Sequence, residues 1–338
     1  MKIRASFCHL LAVLTVLKTG CFYAQTGAPS TRESATQEAM DRDLPEVTIP
    51  RLEELYRSHK YTVTEVVRWY MARIEKYNGI YRAVQNLDVF GALSTAARED
   101  AEATASGSGF VRGPMWSVPV ITKANTSVKG LITTDGWKGY MIPGHELIAP
   151  KDATIIAKLR AAGAVILGQT NMPDFAASDT NRSTAYGRTG NAYDVRFSPG
   201  GSSGGTVTAI TSNFALLGNG TDTGNSIRMP AATSSVVGVF PTPGLVSIAG
   251  IAPLDWLLDN TGPIARDVTD AAIALGRDGW RRSLGSPHDR FGCKGPARTL
   301  YALPQNGRAQ GKVLRRTCLH SERSRHSISR HSRVRVGE

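Results

Sequence analysis

The segment from Gly200 to Ala231 reads GGSSGGTVTAITSNFALLGNGTDTGNSIRMPA. It places Ser202 and Ser226 in two glycine-rich stretches, and no histidine lies within it. A serine hydroxyl needs a neighbouring base to take its proton before it attacks a carbonyl carbon. The segment therefore predicts serine chemistry that uses a base other than histidine.

A lysine upstream is the nearest plausible base. Val118–Asn125 reads VPVITKAN and sets Lys123 behind an apolar, β-branched run that is typical of a buried strand. A free lysine has a pKa of about 10.4 and is charged at neutral pH. Full burial disfavours the charged form and lowers this pKa by roughly 3–5 units. We therefore expect Lys123 to end a strand inside a dry pocket.

Together these residues resemble the amidase signature family, whose members are serine hydrolases with a Ser–cis-Ser–Lys triad. The resemblance extends from about Val47 to Ala274 and is most specific in GGSSGG and DTGNSIR. It implies a mixed central β-sheet flanked by helices, a small-molecule or peptide amide as substrate, and neither a metal nor an organic cofactor.

The resemblance also implies a role for each matching residue. Ser226 matches the nucleophile, Ser202 the proton-relaying serine on a cis peptide bond, and Lys123 the general base. The oxyanion hole would be formed by the backbone N–H groups of Thr223, Gly224, Asn225 and Ser226. Three further residues match positions that support the site: Ser203 beside the triad, and Asp222 and Arg228, which brace the oxyanion loop.

Each motif is weak when taken alone. GGSSGG is common as a flexible loop or an anion-binding nest, and the region lacks the GK[ST] ending of a phosphate-binding loop. A lone lysine at a strand end is usually a solvated charge. The joint occurrence of both serine segments and the upstream lysine favours the catalytic interpretation.

Four positions depart from the family pattern. Ala124 stands where the family has aspartate, and Asn225 where it has glycine. Asparagine tolerates left-handed backbone angles better than most residues, so we expect the oxyanion loop to survive. Val207 and Thr211 replace small residues after Ser202, and their larger side chains are expected to loosen the packing there.

Helical and strand patterns alternate along the chain, which predicts a layered α/β fold. Thr62–Tyr77 has helical periodicity with Val66, Val67, Tyr70, Met71 and Ile74 on one face. Further predicted helices are Ile49–Arg57, Ala92–Ala105 and Asp152–Ala162, and the predicted strands are Val118–Thr122 and Ala164–Leu167. Phe175 lies either in the substrate pocket or in the core, and the core is the favoured assignment.

The net charge of +12 comes almost entirely from the last part of the chain. Residues 277–338 hold fifteen Lys and Arg against four Asp and Glu, whereas residues 1–276 hold 25 against 24. We predict a basic, low-order tail over 277–338, either a frameshift product or a genuine disordered appendage. The nearly neutral body gives no reason to expect a specific nucleic-acid partner.

The N-terminus has the pattern of an export signal. Lys2 and Arg4 precede the apolar run Ala5–Leu17, which is too short to span a bilayer comfortably, and no later run is apolar for long enough. We predict a signal peptide over 1–25, a polar linker over 26–46, an amidase signature domain over 47–276 that is incomplete at its C-terminus, and a periplasmic or secreted location. The segment that ends at Cys21 is a poor lipoprotein motif, because Lys18 stands where an apolar residue is expected. The alternative to an export signal is an ordinary N-terminal helix.

Three classes of function remain open at this point. The first is an amidase that cleaves carboxamide C–N bonds through an acyl-enzyme. The second is a truncated, inactive remnant that keeps the triad residues. The third is a basic nucleic-acid-binding protein, which only the tail supports. A tRNA-dependent amidotransferase subunit belongs to the same family, but an export signal argues against it.

Overall fold

The computed structural model describes residues 31–107 and 113–276. The helices are α1 (Thr31–Asp43), α2 (Ile49–Arg57), α3 (Val63–Tyr81), α4 (Val89–Ser106), α5 (Thr154–Ala161), α6 (Gly204–Thr211), α7 (Arg228–Thr233) and α8 (Val268–Leu275). The strands are β1 (Val84–Leu87), β2 (Pro119–Lys123), β3 (Val165–Thr170), β4 (Arg182–Ser183), β5 (Gly187–Arg188), β6 (Leu217–Asp222), β7 (Val237–Gly238) and β8 (Asn260–Ala265). The predicted signal peptide and basic tail lie outside the described residues.

Six strands form one mixed sheet in the order β1-β3-β2-β6-β8-β7, while β4 and β5 form a separate hairpin. The three central strands β3, β2 and β6 are parallel, and β1, β8 and β7 run antiparallel to their neighbours. Strands β2, β3 and β6 are buried along their whole length, as expected for parallel strands covered on both faces. This architecture confirms the predicted mixed sheet flanked by helices.

The sequence pattern located most of the helices correctly. Helix α2 begins and ends at the predicted residues. Thr62 caps α3 through a reciprocal capping box with Glu65, which satisfies two backbone N–H groups at the helix start. On the predicted face of α3, Val66, Val67, Tyr70 and Ile74 are buried, whereas Met71 is only partly buried against the core. Among the helices of the described ranges, none is both long and apolar enough to cross a membrane.

The segment predicted as a polar linker, 26–46, contains a helix that the sequence analysis did not predict, α1 at Thr31–Asp43. Few positions of this polar helix face the core: Met40 is buried there, as is Leu44 just beyond the helix end. Two of its carboxylates also accept hydrogen bonds from aromatic side chains of the body, Asp41 from Trp69 Nε1 at 2.7 Å and Asp43 from the Tyr61 hydroxyl at 2.7 Å. A helix with so few apolar contacts has no clear periodic signal.

A buried carboxyl joins helix α8 to helix α2. Asp270 Oδ1 accepts a hydrogen bond of 2.8 Å from the backbone N–H of Ile49, while Asp270 Oδ2 has no hydrogen-bond partner among the described residues. Burial raises the pKa of Asp270 to about 7. This carboxyl is therefore mostly neutral below pH 7 and becomes a poorly compensated buried charge above it.

Between pH 5 and pH 8, we expect the free energy of unfolding to fall less in Asp270→Asn than in the wild type. The folded pKa lies above the unfolded one, so the stabilising contribution of this carboxyl is complete below about pH 4 and is lost as the pH rises through about 7. Asparagine keeps the acceptor for Ile49 and does not ionise. Urea unfolding at both pH values measures the effect, with the exposed Glu54→Gln as control. Equal pH dependence in wild type and Asp270→Asn would contradict it.

Candidate active site

The site lies where the parallel strands β2 and β6 end side by side. Val120 pairs with Leu217 and Ile121 with Gly218, so the strands' carboxyl ends, Lys123 and Asp222, reach the same edge of the sheet. The side chain of Asn219 links the two strands, because its Oδ1 accepts from Thr122 Oγ1 at 2.6 Å and from the Lys123 backbone N–H at 2.9 Å. This cross-strand bonding fixes the backbone from which the lysine extends.

Lys123 is fully buried, and its amine is surrounded by hydroxyl oxygens. Nζ lies 2.7 Å from Ser202 Oγ, 3.1 Å from Ser203 Oγ and 2.7 Å from Thr221 Oγ1, with the Thr221 carbonyl oxygen at 3.3 Å. Within the described part of the chain, no carboxylate lies within ion-pair distance of Nζ. The amine is therefore held by neutral groups, a surrounding that does not require it to be charged.

Burial lowers the pKa of Lys123 to about 7, against the opposing effect of negative charge on Asp135, Asp222 and Asp259. A large share of the lysine is then neutral near pH 7 and has a lone pair for a proton. A lysine with a pKa near 7 can accept a proton at neutral pH, as general-base catalysis requires, whereas an ordinary lysine stays charged there.

Ser202 and Ser203 approach the lysine from the start of α6. The peptide bond between Gly201 and Ser202 is cis, in agreement with the position that the resemblance assigns to Ser202. Helix α6 lies close to the end of β3, because a Cβ on Gly205 would lie only 2.2 Å from the Asn171 carbonyl oxygen. The second glycine pair of GGSSGG thus lets the serine segment approach the sheet edge.

The segment Thr223–Ser226 follows β6 and is braced from below by an ion pair. Asp222 accepts hydrogen bonds from the backbone N–H groups of Ile227 at 2.9 Å and Arg228 at 3.3 Å, and from the Arg228 guanidinium at 3.1 Å. Burial alone would raise the pKa of Asp222, but these hydrogen bonds outweigh it and hold that pKa below its usual value. Arg228 also donates to the Gly224 carbonyl at 2.5 Å.

A cleft of about 540 Å³ opens above this segment. Its floor contains all four residues expected to form the oxyanion hole, Thr223, Gly224, Asn225 and Ser226. Ser226 is largely buried there, and its carbonyl accepts a hydrogen bond of 3.2 Å from the Ser203 N–H. A group bound in this cleft would therefore lie beside Ser226 and the segment that precedes it.

The structure thus brings Lys123, Ser202 and Ser203 into direct contact and places Ser226 beside them across the Ser203 backbone. Among the hydrogen bonds of the described residues, none joins the Ser202 and Ser226 hydroxyls. Two of the residues that depart from the family pattern fit this backbone. Asn225 does not have a positive φ, and Val207 is fully buried in the core.

The prediction that Phe175 belongs to the core is wrong. Its side chain is 41% exposed, and its ring contacts the rings of Trp137 and Tyr140. These aromatic partners come from a turn outside the main core, so the ring is held without being buried.

Sequence reasoning missed three residues around the lysine. Thr221 contributes a hydroxyl contact to Nζ, and Asp259 accepts from Thr223 Oγ1 at 2.5 Å. The third, Asp135, lies in a turn and is almost fully buried, with its backbone N–H bonded to the Ala124 carbonyl. Burial raises the pKa of Asp135 to about 7, and its Oδ1 finds no hydrogen-bond partner within the described ranges. No motif marks these positions.

The buried lysine and the two serine segments thus lie together at one edge of a mixed sheet. The Amidase family model matches residues 65–280, and the chain belongs to this family.

Relatives and solved structures agree with this assignment. The chain is 37% identical to the A subunit of glutamyl-tRNA(Gln) amidotransferase from Acidothermus cellulolyticus over 80% of its length, and 40% identical to that of Koribacter versatilis over 70%. It is similar to the peptide amidase of Stenotrophomonas maltophilia, with a TM-score of 0.68, 32% identity and 75% coverage of this chain. The present chain spans about half the length of each of these proteins: 51% of the Acidothermus subunit, 48% of the Koribacter subunit and 52% of the peptide amidase.

Asp135→Asn is expected to move the acidic limb of the pH–rate profile to lower pH. The charge of Asp135 raises the pKa of Lys123, so its removal lets burial lower that pKa further. The rate of Ser226 labelling by a fluorophosphonate, followed from pH 5 to pH 9, measures the limb. The control variant is Glu102→Gln, which also replaces one carboxylate by an amide but on the surface of α4. An unmoved limb, or one moved to higher pH, would show that Asp135 does not act on the lysine.

Proposed function

We propose that this chain hydrolyses carboxamide C–N bonds through an acyl-enzyme on Ser226, with Ser202 and Lys123 moving the proton. The observation that carries the proposal is the 2.7 Å contact between the buried Lys123 amine and Ser202 Oγ beside the cleft that contains Ser226. A neutral buried lysine next to a serine has no evident structural purpose, since burying it costs free energy. It is suited to accept a proton.

The proposed reaction begins with attack by Ser226. Its Oγ forms a bond to the amide carbon while its proton passes to Ser202 Oγ, and the Ser202 proton passes to Lys123 Nζ. The carbonyl electron pair moves onto oxygen. When that oxyanion collapses, the C–N bond breaks and the leaving nitrogen receives a proton from Lys123 through Ser202. Water then attacks the ester, with its proton following the same relay, and the acid leaves with Ser226 restored.

Backbone N–H groups of Thr223–Ser226 would stabilise the oxyanion. The Asp222–Arg228 ion pair holds this segment in place before the substrate arrives, so no reorganisation is needed as charge develops. Donors arranged in advance are among the largest contributions to catalysis, and the loss of one typically costs about 10²–10³ in rate. Fixing this loop is therefore as important to the proposal as the three side chains.

A second candidate is the role of an amidotransferase subunit. The names of the sequence relatives favour it, because they are A subunits of glutamyl-tRNA(Gln) amidotransferases. The export pattern at residues 1–25 favours a free-standing amidase in the periplasm or outside the cell, since tRNA charging occurs in the cytoplasm. Cell fractionation with an antibody against the body separates them: a cytoplasmic, unprocessed chain would support the amidotransferase role.

Ser226→Ala is expected to abolish amide hydrolysis, with a loss of at least about a thousand-fold, by analogy with the removal of other serine nucleophiles. Covalent labelling by a fluorophosphonate, located by mass spectrometry, should disappear in the same variant. Ser212→Ala, at the end of α6, is the control serine and should keep both signals. Labelling of the Ser226→Ala variant at the wild-type rate would reject this nucleophile. A wild-type chain without activity or labelling would favour the inactive remnant.

Lys123→Met is expected to lower kcat by about 10²–10⁴, the range of a lost general base. Methionine resembles the lysine stem in size and is apolar, so the buried site stays filled while the proton acceptor is lost. The variant should also lose the acidic limb that the lysine imposes near pH 7. Thermal unfolding verifies that the fold is kept. Near-normal turnover in a folded Lys123→Met protein would remove lysine from the mechanism.

A further inference from the structure

One wall of the cleft carries a carboxylate that the proposed reaction does not use. Asp179 lines the cleft next to the segment with Ser226, and it is the one ionisable side chain among the cleft-lining residues that the structure describes. Leu254 and Leu258 line the same cleft and are 45% and 58% exposed. The cavity beside the nucleophile therefore combines one negative charge with an apolar surface.

The neighbouring carboxylates already have structural partners. Asp259 accepts from Thr223 Oγ1, from the Leu254 N–H at 2.9 Å and from the Asp255 N–H at 3.1 Å. Asp255 accepts from the N–H groups of Leu257 at 2.8 Å and Leu258 at 3.1 Å. These two side chains shape the leucine-bearing loop and have little capacity left for a ligand.

Asp179 is exposed, and it differs from them in having a single carboxylate contact within the described ranges, a distance of 3.4 Å from Asn225 Nδ2 to Oδ2. The nearest cation of the loop, Arg228, is occupied by Asp222 and by the Gly224 carbonyl. Asp179 thus faces the cleft with unused acceptor capacity and, among the described residues, without a cationic partner.

Asn225 explains how this carboxylate comes to be oriented. The resemblance implies glycine at this position, yet the backbone of Asn225 is not in the left-handed region that would require one. The asparagine adds an amide that reaches Asp179, while the adjacent Gly224 has nothing within 4 Å of where a Cβ would be. The space over Gly224 stays open, and the residue directly before the nucleophile holds the carboxylate at its edge.

We propose that Asp179, oriented by Asn225, makes this site selective for amides that carry an ammonium group beside an apolar side chain, such as amino-acid amides. The proposal rests on the proposed function in identifying the cleft as the amide site. A carboxylate attracts an ammonium more strongly once the ligand excludes water from between them. Leu254 and Leu258 would cover the apolar part of the same ligand. Anionic amides would be repelled by the same carboxylate.

Binding to the full-length Ser226→Ala chain tests this without turnover. Leucinamide and 4-methylpentanamide share the amide and the isobutyl group and differ by the ammonium, which is charged at pH 6.5 because an α-amino group has a pKa of about 7.7–8.0. We expect NMR titration to give roughly ten-fold tighter binding of leucinamide at low salt, a ratio that falls as salt screens the charges.

Variants in the Ser226→Ala background assign the effect. Asp179→Asn should bring the binding ratio close to one, Asp179→Glu should restore most of it, and Asn225→Gly should give an intermediate value. Glu53→Gln, which removes a surface carboxylate of α2, should leave the ratio unchanged. A ratio near one in the parent, or a ratio that survives Asp179→Asn, would overturn the proposal.

The outcome is separate from that of the proposed function. If the wild-type chain neither hydrolyses amides nor labels at Ser226 while the ratio depends on Asp179, the catalytic proposal fails and the selectivity stands. If the chain hydrolyses 4-methylpentanamide as readily as leucinamide and the binding ratio is near one, the selectivity fails and the amidase remains.

Discussion

The contact between the buried amine of Lys123 and the hydroxyl of Ser202 is the interaction on which this site depends. Water would keep that amine charged, and a close carboxylate would do the same. The fold instead surrounds Nζ with two serines and a threonine and keeps the negative charges of Asp135, Asp222 and Asp259 outside contact distance. The pKa of the lysine is lowered because the sheet edge is dry and no carboxylate of the described residues contacts the amine.

The parallel strands make this environment possible. Strands β2 and β6 are buried on both faces, so the residues at their ends emerge into a region already shielded from water. Helix α6 closes the region from above, and it approaches closely because glycines precede and follow the two serines. Burial of the lysine is therefore a consequence of how three elements meet and not of the lysine's immediate neighbours in sequence.

This origin explains which features local sequence patterns predict and which they miss. The apolar run before Lys123 and the two glycine-serine segments are local patterns, and they lead to the correct fold class and to residues that lie together. Asp135 and Asp259 act on the lysine through space, the first from a turn that follows β2 and the second from a segment far along the chain. No sequence motif marks either position. An aromatic residue such as Phe175 is normally expected in the core, yet the turn at Asp174–Ala176 holds it against Trp137 outside. Helix α1 escapes prediction because its surface is almost entirely polar.

The central claim is that Lys123 is substantially neutral at the pH at which the site works. Its side-chain nitrogen can be observed directly by ¹⁵N NMR of selectively labelled protein, with the signal assigned by its absence from Lys123→Met. A pH titration is predicted to show that the Lys123 signal changes its chemical shift near pH 7, well below the value of about 10.4 for a free lysine. A folded protein in which the Lys123 signal titrates near the value of a free lysine would contradict this claim.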